Sequence, residues 1–438
     1  MFRKIKAYIS DFLKSDTQKV LIIDGARQVG KSYIIREAGT ELFENYVEIN
    51  LLEDSLNNRY FANTKSTSDF YLQLSMIAGD RLKEKENTLI FLDEIQAYPH
   101  LLTLLKFLNQ DNRFTYIASG SLLGITLSQT SSIPMGSIEV KQMYPMDFEE
   151  FLIANNFGEL AISALKEKFK KRETLEENIH NNLLGLFKKY LLSGGLPDAV
   201  KTFVETNNIV SVRTIQNQIH EYYGMDASKY DLEHKLKIKR IYDMIPSTLE
   251  NKKKRIVVQD IENKKGKRFS SYQDEFDYLI NAGVALEVKA ISTPVFPLNE
   301  HSGKNLLKLY LNDVGILSGI LYQNNIRAIL DSENSINLGT LYEAVVAQEL
   351  KAHGKQLFYY DNKSKGEVDF LINDYDSLSI LPIEVKSGKD YSVHSALNSF
   401  LQNKDYNVSN AIVFSNERKV TTTPAGITYL PIYYVMGL

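Results

Sequence analysis

The fold of the first part of the chain is indicated most clearly by residues 19–39, KVLIIDGARQVGKSYIIREAG. An apolar run ends at Gly25, and apolar residues resume at helical spacing after Lys31. This order predicts a strand, a glycine-rich turn and a helix. Further strand and helix patterns alternate after it, with strands at 45–51, 88–94, 114–120 and 137–144 and helices at 68–84 and 101–110. The alternation predicts an α/β domain over about residues 1–147, with a parallel sheet covered on both faces.

The turn fits the pattern GxxxxGK[ST] at every fixed position. Its glycines allow backbone N–H groups and the helix N-terminus to face phosphate oxygens. Lys31 is expected to reach the β and γ phosphates of ATP, and the Ser32 hydroxyl is expected to bind Mg²⁺. The predicted nucleotide-binding residues are Gly25, Ala26, Arg27, Gln28, Val29, Gly30, Lys31, Ser32 and, on a later strand, Ser119.

Two acids end the strand pattern TLIFLDE at residues 88–94. Asp93 is predicted to hold Mg²⁺ through water, and Glu94 is predicted to orient or deprotonate the attacking water. The next strand pattern ends in Ser119 and Ser121, where a polar group can sense the γ phosphate. A hydroxyl-rich turn without that role is the alternative for these serines.

The middle region, residues 148–323, has a mainly helical pattern. Residues 235–268 contain twelve Lys or Arg against four Asp or Glu, although the whole chain has a net charge of −3. Basic residues bracket RIVVQD (255–260), which is read as a strand, and a helix, a Gly283 turn and a strand follow. This order is compatible with a winged helix-turn-helix that binds DNA phosphates. A solvated, lysine-rich strand edge is the equal alternative.

The last region, residues 324–438, has a second α/β pattern. Glu384 and Lys386 are two residues apart on a predicted strand, so both side chains point to one face, where Asp369 of a neighbouring strand can meet them. Asp369 and Glu384 are predicted metal ligands, and Lys386 is predicted to lie beside a metal-bound water. Glu343 is a candidate fourth member. Alternatively, an ion pair from Glu384 to Lys386 or Asp369 would offset the free-energy cost of burying these charges, and the residues would then have no catalytic role.

These motifs, with MYPMDFEEFL (143–152), GGLPDAV (194–200) and LYLNDVGIL (309–317), resemble a bacterial and archaeal group of AAA-type P-loop ATPases. That group carries a C-terminal nuclease-like domain of the PD-(D/E)xK type, which has a restriction-endonuclease-like fold. The resemblance implies ATP and Mg²⁺ as ligands. Many relatives have an arginine after a glycine just ahead of MYPMDFEEFL, and an oligomer can use it to complete a neighbour's ATP site. Here the pair is Gly136-Ser137, and the candidate substitutes are Arg113, Arg172, Arg213 and Arg240.

Composition and the pattern of apolar residues exclude several other classes of protein. The chain has 438 residues, enough for two or three domains, and its zero cysteines exclude disulfides, thiolate metal sites and a thiol nucleophile. Residues 1–16 have the spacing of an amphipathic helix rather than of a secretory signal, and no apolar run is long enough to span a membrane. A cytoplasmic protein is expected.

The sequence therefore predicts an ATP-hydrolysing, DNA-associated protein in which nucleotide state repositions the basic and nuclease-like domains. A nucleotide-gated switch that binds protein or DNA and cuts nothing is the second hypothesis. The two hypotheses differ at Asp369, Glu384 and Lys386.

Overall fold

The structure is a computed structural model that describes residues 1–15, 17–121, 123, 136–226, 234–263, 266–298, 303–331, 338–388 and 390–438. Lys264 and Lys265 of the basic segment lie outside the described residues. The chain divides into two compact units, Met1–Tyr144 with Asn281–Gly283, and Pro145–Ile280 with Val284–Leu438. Among the described helices, none has both the length and the apolar character needed to cross a membrane.

The N-terminal unit is built on a five-stranded parallel sheet with the strand order β2-β3-β4-β1-β5, which confirms the predicted parallel sheet. The strands β1 and β3 are mainly apolar and are buried along their whole length, as in parallel sheets that helices cover on both faces. The strands are β1 Val20–Asp24, β2 Asn45–Asn50, β3 Thr88–Asp93, β4 Thr115–Gly120 and β5 Ile138–Gln142.

Within the described residues of this unit, the helices are α1 Ile5–Lys14, α2 Lys31–Leu42, α3 Leu51–Leu56, α4 Thr67–Ala78 and α5 His100–Gln110. The predicted amphipathic helix is α1, and Lys6 ties it to α2 through Glu37 at 2.6 Å and Glu41 at 2.5 Å. The predicted helix at 68–84 ends early, at Ala78, because Gly79 takes a φ of +53° that a helix cannot continue.

The second unit begins with a set of helices. They are α6 Phe148–Ala154, α7 Glu159–Lys170, α8 Glu177–Ser193, α9 Pro197–Thr206, α10 Ile209–Asp226, α11 Lys235–Glu250, α12 Val258–Glu262 and α13 Gln273–Asn281. The prediction of a strand at 255–260 is wrong, because α12 begins at Val258. Ile256 alone makes a strand-like contact there, since its N–H donates to the Leu307 carbonyl at 2.9 Å.

An eight-stranded mixed sheet follows, with the order β12-β13-β11-β10-β9-β8-β6-β7. Its strands are β6 Ala285–Ile291, β7 Gly303–Leu311, β8 Phe358–Asn362, β9 Gly366–Asp374, β10 Ser379–Val385, β11 Ala411–Ser415, β12 Thr421–Thr422 and β13 Ile427–Pro431. The helices among them are α14 Val314–Tyr322, α15 Arg327–Leu330, α16 Gly339–Ala352 and α17 Ser395–Leu401.

This sheet crosses the domain boundary that the sequence predicted at residues 323 and 324. β6 lies before that boundary and pairs in parallel with β8, which lies after it, and β7 pairs with β6. The middle and C-terminal regions therefore share one sheet and one compact unit. The strand β13 ends at Pro431, because Ile432–Gly437 form a 3-10 helix directly after it.

Three of the quoted motifs meet in the second unit. The Met146 N–H donates to the Gly195 carbonyl at 2.7 Å, and the Gly195 N–H donates to Asp313 Oδ2 at 2.6 Å. Asp313 Oδ1 also accepts the Ile316 N–H at 3.0 Å and caps α14. A Cβ on Gly194, whose φ is +66°, would lie 2.1 Å from Asp313 Oδ1, so this position requires glycine. These motifs therefore have a structural explanation in the packing of the unit.

Candidate functional site

The glycine-rich turn joins β1 to α2 and is closely packed. Gly25 has a φ of +154°, and a Cβ there would lie 2.2 Å from the Met143 carbonyl oxygen. Gly30, at φ +93°, immediately precedes α2. Lys31 is buried, and its Nζ donates to the carbonyls of Gly25 and Ala26, both at 2.8 Å. The ammonium group thus lies against the backbone of the turn that is predicted to surround phosphates.

Burial lowers the pKa of Lys31, and the nearby carboxylates of Glu94, Asp24 and Asp93 act against that shift. Burial deprives the Lys31 ammonium group of hydration, and the nearby carbonyls and acids replace only part of it. A polyphosphate would supply further negative charge and hydrogen-bond acceptors to this group. The position therefore favours an anionic ligand.

Asp93 joins the turn to the next strand of the sheet. Its Oδ2 accepts the Ser32 hydroxyl at 2.8 Å, and its Oδ1 accepts the Ser119 hydroxyl. Burial raises the pKa of Asp93, while these two hydroxyls lower it. A hydroxyl and a carboxylate in contact are oxygen donors of the kind that Mg²⁺ takes in phosphate sites, so these residues fit the ion.

Glu94 follows directly, with a left-handed φ of +56°. Its carboxylate accepts a hydrogen bond from Gln96 Nε2, which also donates to Ser121 Oγ at 3.1 Å. The Ser121 N–H in turn donates to Gln96 Oε1 at 3.2 Å. Gln96 was not among the predicted site residues, although it stands two residues after Glu94, just beyond the quoted pattern TLIFLDE.

The structure thus brings Lys31, Ser32, Asp93, Glu94 and Ser119 together. They lie at the carboxyl ends of adjacent parallel strands β1, β3 and β4, where ligands bind in open α/β sheets.

Of the four arginines considered for a neighbour's ATP site, Arg213 is unsuitable. It is buried, and its Nη1 donates to the Leu192 and Gly315 carbonyls, both at 3.0 Å, so it cannot reach outward. Arg113 lies 4.3 Å from the ring centroid of Tyr71. Arg172 donates to Thr428 Oγ1 at 2.6 Å. Arg240 is exposed on α11.

The second unit carries the other predicted cluster. Asp369 on β9 accepts the Val385 N–H at 2.8 Å, which brings it to the end of β10 beside Glu384. The Lys386 ammonium donates to Glu384 Oε1 at 2.7 Å. The structure thus contains the ion pair from Glu384 to Lys386 that the sequence left as an alternative. A role for Lys386 beside a metal-bound water stays a prediction. Glu384 Oε2 is buried and has no hydrogen-bond partner within the described part of the chain.

Glu343 belongs to the same cluster. It lies on α16, accepts a hydrogen bond from Lys254 Nζ, and accepts the Tyr310 hydroxyl at 3.3 Å. Sequence reasoning did not assign Lys254 to this cluster, because 89 residues separate it from Glu343.

Lys308 on β7 was also missed. Its side chain is fully buried, its ammonium bonds Glu367, and it lies 4.6 Å from the ring centroid of Tyr359. A single lysine in the apolar run LLKLYL (306–311) is a signal that could have indicated it, because an isolated charge in a buried strand needs a partner.

The electrostatics of the cluster centre on Asp369. Burial, followed by the charges of Glu384 and Glu343, raises the pKa of Asp369 well above its ordinary value, and Lys308 and Lys254 act in the opposite direction. Within the described ranges, no group of three or more His, Asp or Glu side chains has an arrangement that could hold a metal ion. Lys308 and Lys254 therefore offset part of the negative charge around Asp369.

The basic segment is less available than its sequence indicates. Lys254 pairs with Glu343, and Arg255 Nη1 lies 3.4 Å from Asp361 Oδ2. Lys252 and Lys253, at the same turn, are exposed, as are Lys267 and Arg268. A phosphate-binding surface in this segment would therefore use the exposed residues.

Known protein families match three parts of the chain, and the first match falls mainly within the first unit. Residues 17–152 match a family model described as an AAA domain. Residues 184–328 and 338–435 match two models described as domains of unknown function, DUF8612 and DUF4143. No curated protein matches the chain.

The solved structures that match this chain include a Walker-type ATPase of Pyrococcus abyssi. The identity is 12%, the match covers 72% of this chain and 95% of that chain, and the TM-score is 0.42. The Aeropyrum pernix ORC1 protein in complex with DNA has 11% identity, with 75% and 94% covered and a TM-score of 0.32. The Thermotoga maritima RuvB Holliday junction branch migration motor has 13% identity, with 69% and 93% covered and a TM-score of 0.30.

The parallel sheet, the phosphate-loop motif and the family match over residues 17–152 together support an AAA-type P-loop domain in the N-terminal unit. ATP binding and hydrolysis are the activities that this class of domain supports.

Proposed function

We propose that this protein hydrolyses ATP at the carboxyl ends of β1, β3 and β4, with Lys31, Ser32, Asp93 and Glu94 in the reacting site. The observation that carries the proposal is the 2.8 Å hydrogen bond from Ser32 Oγ to Asp93 Oδ2. It joins the two residues that hold Mg²⁺ in P-loop sites, although they come from separate motifs.

Each residue has a distinct role in the proposal. Lys31 exchanges the Gly25 and Ala26 carbonyls for the β and γ phosphate oxygens, which carry full negative charge and bind an ammonium more strongly. Glu94 orients the attacking water and takes up its proton. Mg²⁺, when bound, neutralises charge on the β and γ phosphates.

Ser119 and Gln96 position these groups. Ser119 fixes one oxygen of Asp93 and leaves the other toward Ser32. Gln96 holds the Glu94 carboxylate through its amide and is itself held by Ser121. The Glu94 carboxylate therefore has a defined direction before substrate binds.

Phosphate release from ATP by the full-length protein tests this proposal. Turnover should require Mg²⁺, stop when EDTA is added, and be absent in Asp93→Asn. Running the same assay with double-stranded and single-stranded DNA tests whether DNA is a partner. Turnover that is undiminished in Asp93→Asn would contradict the assigned site.

A second candidate function belongs to the cluster of Asp369, Glu384 and Lys386, which we propose as a divalent-metal site directed at phosphodiesters. The buried, unpartnered Glu384 Oε2 favours it, because an added cation would compensate that oxygen. The order of α16, β8, β9 and β10 also agrees with a restriction-endonuclease-like domain. Cleavage of plasmid DNA with Mg²⁺ or Mn²⁺, lost in Lys386→Ala, tests the activity. A nucleotide-gated switch that binds DNA or protein without cutting is the alternative.

DNA binding is proposed for the segment of α11, α12, α13 and the β6–β7 hairpin, arranged as a winged helix. Its support is the helical order followed by antiparallel strands, together with the exposed Lys252, Lys253, Lys267 and Arg268. Cations at such positions give binding that depends on salt and is independent of base sequence.

A further inference from the structure

Arg3 lies just ahead of α1 and bonds the backbone of the glycine-rich turn. The residue is buried, with only 6% of its surface exposed. Its Nη1 donates to the Val29 carbonyl at 2.6 Å, and its Nη2 donates to the Tyr144 carbonyl, also at 2.6 Å. A planar guanidinium presents its donors in a rigid fork, so it holds two carbonyls in a fixed relation to each other. Arg3 therefore joins the end of the turn to the chain segment that follows β5.

The segment after β5 is itself fixed against the beginning of the same turn. The Met143 N–H donates to the Asp24 carbonyl at 2.7 Å. The Met143 carbonyl oxygen lies so close to Gly25 that a Cβ there would be 2.2 Å away. Through Tyr144, Arg3 thus connects Val29 to a point that is anchored where the turn begins.

The bond to the Val29 carbonyl also determines the direction of the next N–H group. The Val29 carbonyl and the Gly30 N–H belong to one planar trans peptide, so they point in opposite directions. Gly30 has φ +93° and ψ +21°, and glycine adopts either sign of φ with similar ease. The residue type at position 30 therefore does not prevent this peptide from rotating. The hydrogen bond from Arg3 does, and it directs the Gly30 N–H away from the guanidinium.

We propose that Arg3 is a positioning residue for nucleotide binding, which holds the Val29–Gly30 peptide so that the Gly30 N–H is directed at the phosphates. The inference rests on the ATP site proposed above and adds to it a residue from outside the phosphate-loop motif. Arg3 acts through the backbone of the turn. A charged donor on the carbonyl also polarises the peptide, which makes its N–H a stronger donor to a phosphate oxygen.

Two contacts of α1 with α2 and β5 provide matched controls. Lys6 bonds two glutamates of α2, and the Tyr8 hydroxyl donates to Glu139 of β5. Lys6→Gln and Tyr8→Phe therefore weaken the attachment of α1 and leave Arg3 in place. If Arg3 served only to attach α1, its removal would have the same effect as these two substitutions.

Nucleotide affinity of the full-length protein is measured by calorimetry, with Mg²⁺ and either ADP or a non-hydrolysable ATP analogue. Arg3→Met removes the charge and both donors, and it should bind each nucleotide about tenfold more weakly than the wild type. Arg3→Lys keeps the charge as a single ammonium without the fork, so its affinity should lie between the two. Lys6→Gln and Tyr8→Phe should stay within about twofold of the wild type.

Steady-state turnover of ATP separates a positioning role from a catalytic one. Arg3→Met should raise KM about tenfold and leave kcat nearly unchanged, because the groups proposed to react with ATP are intact. The melting temperature of each variant, measured without nucleotide, shows whether the protein is folded.

Nuclear magnetic resonance observes the Gly30 amide directly. Labelling valine carbonyls with ¹³C and glycine nitrogens with ¹⁵N selects the glycines that follow a valine, and the sequence has two, Gly30 and Gly315. Saturation with Mg²⁺ and ADP should shift the Gly30 amide resonance in the wild type and in Tyr8→Phe, and shift it less in Arg3→Met. The Gly315 resonance, from the second unit, is the internal reference.

Three results would overturn the role of Arg3 and leave the ATP site standing. They are equal nucleotide affinity in the wild type and Arg3→Met, an equal loss of affinity in Arg3→Met and both α1 controls, and an undiminished Gly30 shift in Arg3→Met. If Arg3→Met fails to fold, wild-type affinity in Arg3→Lys has the same meaning. If the wild type binds neither nucleotide, the proposed ATP site fails and the inference fails with it.

Discussion

Ser32 at the start of α2 and Asp93 at the end of β3 are 61 residues apart in sequence, yet the Ser32 hydroxyl donates to Asp93 Oδ2 at 2.8 Å. The contact arises because the carboxyl ends of parallel strands lie at one edge of the sheet, and β3 and β1 both pair with β4. The hydroxyl and carboxylate proposed to hold Mg²⁺ are therefore in place before the ion and the nucleotide bind.

Lys31→Ala should weaken ATP binding about 10- to 100-fold, because it removes a charged donor to the phosphates. Isothermal titration with a non-hydrolysable ATP analogue and Mg²⁺ measures the effect. Lys14→Ala, at an exposed lysine of α1, is the control and should bind like the wild type. Unchanged affinity in Lys31→Ala would remove Lys31 from the binding site.

Asp313 should make the stability of the second unit depend on pH. Burial raises its pKa to about 6, against backbone N–H donors that lower it, whereas in the unfolded chain the value is about 3.9. The folded protein therefore keeps this proton over a range where the unfolded chain releases it. The stabilisation is complete below about pH 4 and is lost as the pH rises through about 6.

Asp313→Asn isolates this contribution. The difference in unfolding free energy between wild type and variant should shrink by up to about 2–3 kcal/mol from pH 4 to pH 7. Urea unfolding at several pH values measures it, and Asp405→Asn, at an exposed aspartate, should give a difference that varies little. A constant difference for Asp313→Asn contradicts the raised pKa.

Reversal of Lys252 and Lys253 to Glu should weaken DNA binding and reduce its salt dependence, since fewer phosphate contacts release fewer counterions. Lys254 and Arg255 are left intact because they pair with Glu343 and Asp361, and reversing them would disturb the fold. Fluorescence anisotropy with duplex DNA over a range of salt measures both quantities.

The control for this experiment is reversal of Lys189 and Lys201, which are exposed lysines in the same unit. It changes the net charge equally and should have a smaller effect on the salt slope. If both double variants change the DNA affinity and its salt dependence equally, binding depends on the overall charge of the protein and the proposed surface is wrong.

The sequence predicted the first unit well because its information is local. The turn from Gly25 to Ser32 is a continuous motif, and the parallel sheet follows from alternating strand and helix patterns. That Asp93 meets Ser32 follows from strand topology. The hydrogen bond between Gln96 and Glu94 depends on a 3-10 turn after β3, which residue spacing does not specify.

The second unit was harder to predict because its partners are distant in sequence. β6 and β7 read as part of a separate middle region, and their place in the sheet depends on pairing with β8, far along the chain. In the sequence, Lys254 is one cation among the many of the basic segment at residues 235–268, and its distinguishing ion pair is with Glu343 on another element. Residue patterns report local periodicity, but they do not report which charge will be buried against which.

Glu94→Gln provides the most direct test of the proposed ATP-hydrolysing site. Its ATP affinity and its turnover are measured on the same full-length protein with Mg²⁺, beside the wild type. We expect near-normal binding with turnover reduced about 10²- to 10⁴-fold, because the amide cannot take up the proton from water. ATP hydrolysis by Glu94→Gln at the wild-type rate would contradict the assignment of the base and the proposed site.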